Sequence, residues 1–208
     1  MNRKLTLAIL SVAVCLAAPA FAQMPGGGGR PTVDPIDPSG DQAPAPLSAL
    51  PPDPEGKAED LRLAGKCDQA IPILRRLAAY GDGYELAQYN LGLCLLDVAK
   101  ADSNAQQAAT LRQEAAVSIL RAANHNLPKA QASLVTMYLD GVGVARDPVE
   151  AAKWALIYHT NGARFALGMP NISADLQARL DAVLDAAAWA QAQSRADAWI
   201  PAPQQNPG

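Results

Sequence analysis

The pattern of apolar and polar positions is clearest over residues 128–163. Within residues 129–139, Leu134, Met137 and Tyr138 fall on one face at the spacing of an amphipathic helix. The run Asp140-Gly141-Val142-Gly143-Val144 interrupts that spacing, and a glycine just past the last helical residue can take the left-handed conformation that closes a helix. A second helix is predicted from Asp147. Its carboxylate can accept from the free amides of the first turn, Pro148 suits the first helical position, and Glu150 stands where it can complete a capping box. Ala151, Ala152, Ala155 and Tyr158 continue this helix, and Gly162 is expected to end it. Helix, tight turn, helix makes a hairpin.

The hairpin recurs along the chain. Glu114-Ala115-Ala116 precedes Glu150-Ala151-Ala152 by 36 positions, and Ala87-Gln88-Tyr89-Asn90-Leu91 precedes Ala130-Gln131-Ala132-Ser133-Leu134 by 43. The difference must be absorbed in residues 97–112, where Ser103 can cap a lengthened second helix with Gln106 at the box position. Earlier still, Gln69-Ala70-Ile71 leads to Leu77-Ala78-Ala79-Tyr80-Gly81, with Gly81 matching Asn126 and Gly162. A period in the thirties made of two helices marks an α-solenoid. Beyond the last hairpin, Ser173 is a good cap and Asp175 sits favourably in the first turn. Leu176, Leu180, Val183, Leu184 and Ala187 then recur at helical spacing, predicting one long helix to about Trp199, where Pro201 and Pro203 stop it. A solenoid needs such a helix to cover its final apolar face. The expected fold is therefore all-α: an α-solenoid of antiparallel, tetratricopeptide-like helix pairs over residues 55–200, with a C-terminal capping helix. About a quarter of that span is alanine and it holds only four prolines, a composition that favours helix and close helix packing.

At this point the residues resemble a known family. Ala130-Gln131, Tyr138, Gly141, Gly143-Val144, Asp147, Ala151, Trp154 and Gly162 are similar to the signature of the Sel-one-like repeats, relatives of the tetratricopeptide repeats. The resemblance continues over residues 86–127, where the Gly-x-Gly-Val turn is missing, and residues 57–81 resemble a degenerate first repeat. It implies a scaffold for protein–protein interaction and an exported bacterial member of the family.

The front of the chain has a different pattern. Arg3 and Lys4 precede an almost unbroken apolar run over residues 5–18, followed by Pro19-Ala20-Phe21-Ala22. This is the three-part pattern of a signal peptide over residues 1–22, cleaved before Gln23. The run is shorter than the roughly 20 residues a spanning helix needs. A lipid-modified Cys15 is the alternative, but Val14 stands where Gly or Ala is usual. Residues 23–54 hold nine of the 17 prolines and five of the 15 glycines, too little apolar surface to offset the entropy of ordering, so a flexible linker is expected there. A proline-rich recognition segment is the other reading. Residues 201–208 read as a flexible tail.

Charge and chemistry narrow the function. Without residues 1–22 the chain has 15 basic against 20 acidic side chains and no basic cluster, so nucleic acid is not expected as a partner, and neither is membrane insertion after signal cleavage. With two histidines, no metal site and no cofactor are expected. The two glycines of residues 140–147 lack the lysine and hydroxyl residue of a phosphate loop, and nucleophile motifs are missing. His125 and His159 sit near the ends of two second helices, where a positive side chain is favourable in itself. Trp154 occupies the repeat's aromatic position and reads as core; among Trp154, Trp189 and Trp199, the last is expected to be the most exposed. Cys67 and Cys94 are an even pair in an exported chain and read as a disulfide, with two buried thiols as the alternative.

The expected function is a non-enzymatic periplasmic scaffold that binds a protein or peptide, with a cell-envelope enzyme or enzyme subunit and a purely structural envelope protein as rivals. In stacked helix pairs the first helices line the inner face. The polar residues Gln88, Asn90, Gln131, Ser133 and Thr136 on those helices have no obvious core role, and they are the expected partner contacts.

Overall fold

The computed structural model describes residues 52–202. The assigned signal peptide, nearly all of the linker and the end of the tail lie outside the described residues. Among the described residues there are nine helices and no strand. Three hairpins come first: α1 (Pro54–Leu63) with α2 (Cys67–Ala78), α3 (Glu85–Ala101) with α4 (Ala105–Asn124), and α5 (Pro128–Asp140) with α6 (Pro148–Thr160). A short α7 (Gly162–Ala166), then α8 (Ala174–Asp181) and α9 (Ala186–Asp197), complete the chain. Successive hairpins stack, α2 on α3 and α4 on α5, and α9 then takes the corresponding place against α6. This is an α-solenoid of helix pairs.

The third hairpin follows its sequence closely. Gly141 ends α5 in the left-handed region at φ 72°, and Asp147 caps α6 by accepting from the N–H groups of Val149 and Glu150, each at 3.0 Å. The capping box, however, is not closed. The Asp147 N–H donates instead to the Tyr138 carbonyl at 2.9 Å, fastening the turn to the helix before it. The Glu150 carboxylate is thereby free for Lys153 Nζ at 2.6 Å and Arg195 Nη1 at 3.1 Å.

Four other expectations are corrected. The extra residues of the second hairpin lengthen both helices, to 17 and 20 residues against 13 and 13 in the third. The cap of α4 is Asn104, not Ser103. Its side-chain carbonyl reaches the N–H groups of Gln106 and Gln107 at 3.0 and 3.1 Å, while its own N–H goes to Asp102 Oδ1. Gly162 does not end α6. Asn161 ends α6 and caps α7, accepting from Ala163 and Arg164, so Gly162 becomes the first residue of the next helix. The predicted long terminal helix is two, because Asp185 accepts from the Ala188 N–H at 2.8 Å and starts α9 afresh.

The core has two parts. The first gathers Leu74, Leu77, Leu91 and Leu95 around Cys67 and Cys94, which are disulfide-bonded with Cα atoms 5.0 Å apart. Arg75 also forks across to Glu114, with Nε–Oε1 and Nη2–Oε2 distances of 3.0 and 2.8 Å, tying α2 to α4. The second part joins Ile119, Leu134, Val135, Trp154 and Ile157 to Leu180 of α8, Ala192 of α9 and Leu184 between them. Small residues set the helix spacing. A Cβ on Gly92 would stand 2.4 Å from Ile119 Cγ1, so α3 lies directly against α4. A Cβ on Gly143 would stand 2.0 Å from the Arg112 carbonyl oxygen, so the α5–α6 turn presses on the α4 backbone.

Two predictions follow from this packing. Gly143→Ala should cost roughly 2–5 kcal/mol, combining the ~1–2 kcal/mol of a left-handed non-glycine residue with the ~1–3 kcal/mol of overpacking. A urea unfolding midpoint unchanged from wild type would refute that close approach. The disulfide closes a loop with a sequence separation of 27, for which chain entropy predicts roughly 3–4 kcal/mol. The Cys67→Ser, Cys94→Ser variant should melt lower by the corresponding margin, and thiols that titrate in the native oxidised protein would contradict the bond.

Candidate interaction site

The amide row expected to meet a partner is mostly inside. Gln88, Asn90 and Gln131 are 2%, 1% and 0% exposed. For Gln88 and Gln131 the reason is the position they hold at the junction between hairpins, where backbone groups at helix ends need partners. Gln131 Nε2 donates to the Ala123 carbonyl and to Asn126 Oδ1, both at 3.3 Å, and its Oε1 accepts from Asn161 Nδ2 at 2.7 Å. Asn161 Nδ2 also reaches Asn126 Oδ1 at 2.9 Å. One junction earlier, Gln88 Nε2 donates to the Gly81 carbonyl at 3.0 Å. These amides join one hairpin to the next and cannot touch a partner. Ser133 is half-buried, near the Tyr89 hydroxyl at 3.3 Å and donating to the Lys129 carbonyl at 3.1 Å, while Thr136 is exposed.

The other signature residues are structural in the same sense. Ala130 and Ala151 are 0% exposed, which lets helices meet closely, while Tyr138 and Val144 are half-buried beside the core. His125 lies between two carboxylates, Nε2 3.2 Å from Asp82 Oδ1 and Nδ1 3.9 Å from Glu85 Oε1, joining the end of α4 to the start of α3. Among the described residues no group of His, Cys, Asp and Glu could hold a metal ion, and no helix is long and apolar enough to cross a membrane.

Two hollows lie where α9 is laid on α6. Arg195 pairs with Asp147 at 3.3 Å and with Glu150 at 3.1 Å. Like Trp189, Trp199 is half-buried, though expected to be the most exposed of the three tryptophans. Its ring packs edge-on against Trp154 at 6.0 Å, and its Nε1 donates to Asn124 Oδ1 at 3.4 Å. The Ala202 N–H then reaches the Asn124 carbonyl at 2.8 Å. Anchored this way, α9 leaves two adjoining hollows along the last turns of α6. The larger, about 450 Å³, runs from Asn126 past Ile157, Thr160 and Asn161 to Gln193, Asp197 and Trp199. The smaller, about 260 Å³, includes Asn171, Ile172, Gln177 and Trp189, and Leu156 and His159 line both. Nothing along the sequence signals this arrangement beyond Gln193 and Asp197 standing one helical turn apart.

The clamp has a definite charge state. Partial burial pushes the Asp147 carboxyl upward, but the Glu150 N–H, the Arg195 guanidinium and the Val149 N–H together hold it below the ordinary carboxylate range. Burial, then the Glu150 and Asp147 charges, raise the Tyr138 phenol.

The solenoid is of a known kind. A solved structure similar to this chain is that of a protective antigen present in uropathogenic Escherichia coli strains, displaying an SLR fold. The two are 25% identical, with a TM-score of 0.57, over 71% of this chain and 29% of the antigen's. The chain has the Sel-one-like repeat fold, the fold of repeats that serve generally as protein-interaction scaffolds. It spans under a third of the antigen's length. No family profile matches the sequence, and no curated protein matches it.

Because the Asp147 pKa is lowered on folding, its charge contributes stability above the unfolded value of about 4 and loses it as pH falls through the depressed value. Asparagine keeps the cap but removes the charge. The stability advantage of wild type over Asp147→Asn should therefore be present at pH 7 and shrink as pH falls below about 4. An advantage that does not vary with pH in chemical denaturation would exclude the clamp as a charged contact.

Proposed function

We propose that the protein is an exported, non-enzymatic scaffold that holds a protein partner in the periplasm of a Gram-negative bacterium. The observation that carries this reading is the Sel-one-like repeat fold, in which stacked hairpins bury their amide row and present the remaining surface for contact. The compartment rests on the signal-like pattern of residues 1–22 and on the Cys67–Cys94 disulfide, a bond that forms and persists in oxidising surroundings.

The contact surface is assigned to the hollows around His159. They offer imidazole, hydroxyl, amide and indole groups in one place, the mixture of hydrogen-bonding and aromatic side chains typical of binding clefts. Exposed Thr136 and half-buried Ser133 remain candidate contacts on α5, whereas Gln88, Asn90 and Gln131 do not.

The experiment is crosslinked capture from periplasmic extract with the full chain. One stoichiometric partner should be retained by wild type and by an outlying control such as Lys100→Ala, and lost from His159→Ala combined with Gln193→Ala. Intact mass should also show a chain beginning at Gln23. Capture of no defined partner, or equal loss from the control, would defeat the scaffold reading.

A further inference from the structure

The larger hollow is lined by one carboxylate, Asp197, and by no lysine or arginine. Its wall is built from the ends of helices. Asn126 follows the last turn of α4, Ile157, His159 and Thr160 belong to the last turn of α6, and Gln193, Ala196 and Asp197 belong to the last turn of α9. Each α-helix carries about half a negative charge at its C-terminus, concentrated on carbonyls without an intrahelical partner. To these Asp197 adds a full carboxylate, which accepts from Gln193 Nε2 at 2.7 Å through one oxygen. Neither lysine nor arginine lines the hollow.

The cations nearest in the chain are engaged elsewhere. Arg195 is held by Asp147 and Glu150. Arg164, 5% exposed, donates to the His159 and Met169 carbonyls at 2.9 and 3.0 Å, which answers part of the α6 terminus without entering the hollow. The Asp197 carboxylate in the lining thus has no lysine or arginine beside it in the hollow. Trp199 supplies an aromatic wall, and an indole attracts a cation over its face. About 450 Å³ is room for a lysine or arginine side chain with part of its backbone.

We propose that this hollow is the receptor for a cationic side chain, a lysine or arginine presented on a partner peptide. The proposal rests on the scaffold reading and gives it a chemistry: partners are recognised by an exposed basic residue, with Asp197 as its counter-ion and Trp199 as an aromatic wall. The net charge of −3 favours the approach of such a peptide.

The test uses the full chain and four probes: the pentapeptide acetyl-Ala-Ala-Lys-Ala-Ala-amide, the same peptide with norleucine for lysine, the same with glutamate, and n-butylamine. Amide shifts of Gly162 and Asp197 and the Trp199 indole signal report occupancy. The lysine peptide should shift these signals, and the norleucine and glutamate peptides should not. Salt raised from about 50 to 500 mM should weaken binding. Asp197→Asn should weaken it about fivefold with an unchanged melting curve, since the residue is exposed at a helix end, and Asp197→Glu should restore it. Equal binding of the norleucine peptide, shifts confined to other surfaces, or no binding of the lysine peptide would each overturn the proposal. Binding of butylamine as tightly as the peptide would replace the peptide partner with a small amine. If crosslinking captures a partner and the lysine peptide does not bind, this proposal falls and the scaffold stands. If the lysine peptide binds and no partner is captured, the scaffold reading falls alone.

Discussion

The burial of Trp154 is the constraint from which the rest of the C-terminal half follows. The ring is 1% exposed, although α6 is the last helix of the last complete hairpin. In a repeat array the next first helix would cover it, and here that helix is cut short: α7 has five residues, and Gly168 turns the chain away in the left-handed region. Exposing an indole of this size costs several kcal/mol, a large share of the roughly 5–15 kcal/mol by which domains are stable. The chain therefore brings another helix back. Trp199 packs edge-on against Trp154, Ala192 and Leu184 fill in beside it, and Arg195 fixes the placement through the two carboxylates at the start of α6.

The same logic of covering exposed groups explains the amide row. Helices packed end by end leave carbonyls and amides at every junction, and unpartnered buried ones are costly. A carboxylate or lysine there would bring a charge that the apolar surroundings penalise. Glutamine and asparagine carry both a donor and an acceptor without charge, so Gln131, Asn126 and Asn161 close the junction among themselves. Polarity on a helix is thus no measure of exposure. Gln131 and Lys129 are two positions apart, and one is buried while the other is exposed.

This marks how far the sequence could be read. The third hairpin was legible almost residue by residue, because Gly141, Asp147 and Pro148 act locally, through backbone conformation and first-turn amides. The Cys67–Cys94 bond was legible because the two are an even cysteine pair in a chain with a signal-like start. What escaped was nonlocal. Asp185 can cap a helix or sit within one, and only the need to bend Leu180 and Leu184 into the core while α9 crosses α6 decides it. Gln88 and Gln131 were misplaced because their partners come from the junction with the preceding hairpin, which a helix-face argument does not contain. The hollows belong to the same class, being spaces between elements.

A substitute helix cannot fit as a repeat would, and that misfit creates the site. The inner face of α9 is largely alanine, which permits contact along a narrow ridge but fills little volume on either side. The ridge is bounded by Trp189 and Trp199, so the space left between them and α6 has aromatic walls. In a continued solenoid the following hairpin would cover the last turns of α4 and α6. Here they border the hollow beside α9, and their carbonyls are answered by Thr160, Asn161, Arg164 and the Ala202 N–H. Ending the array and leaving this hollow are therefore the same structural act, and Gln193 and Asp197, which line it, lie on the helix that the need to cover Trp154 brought there.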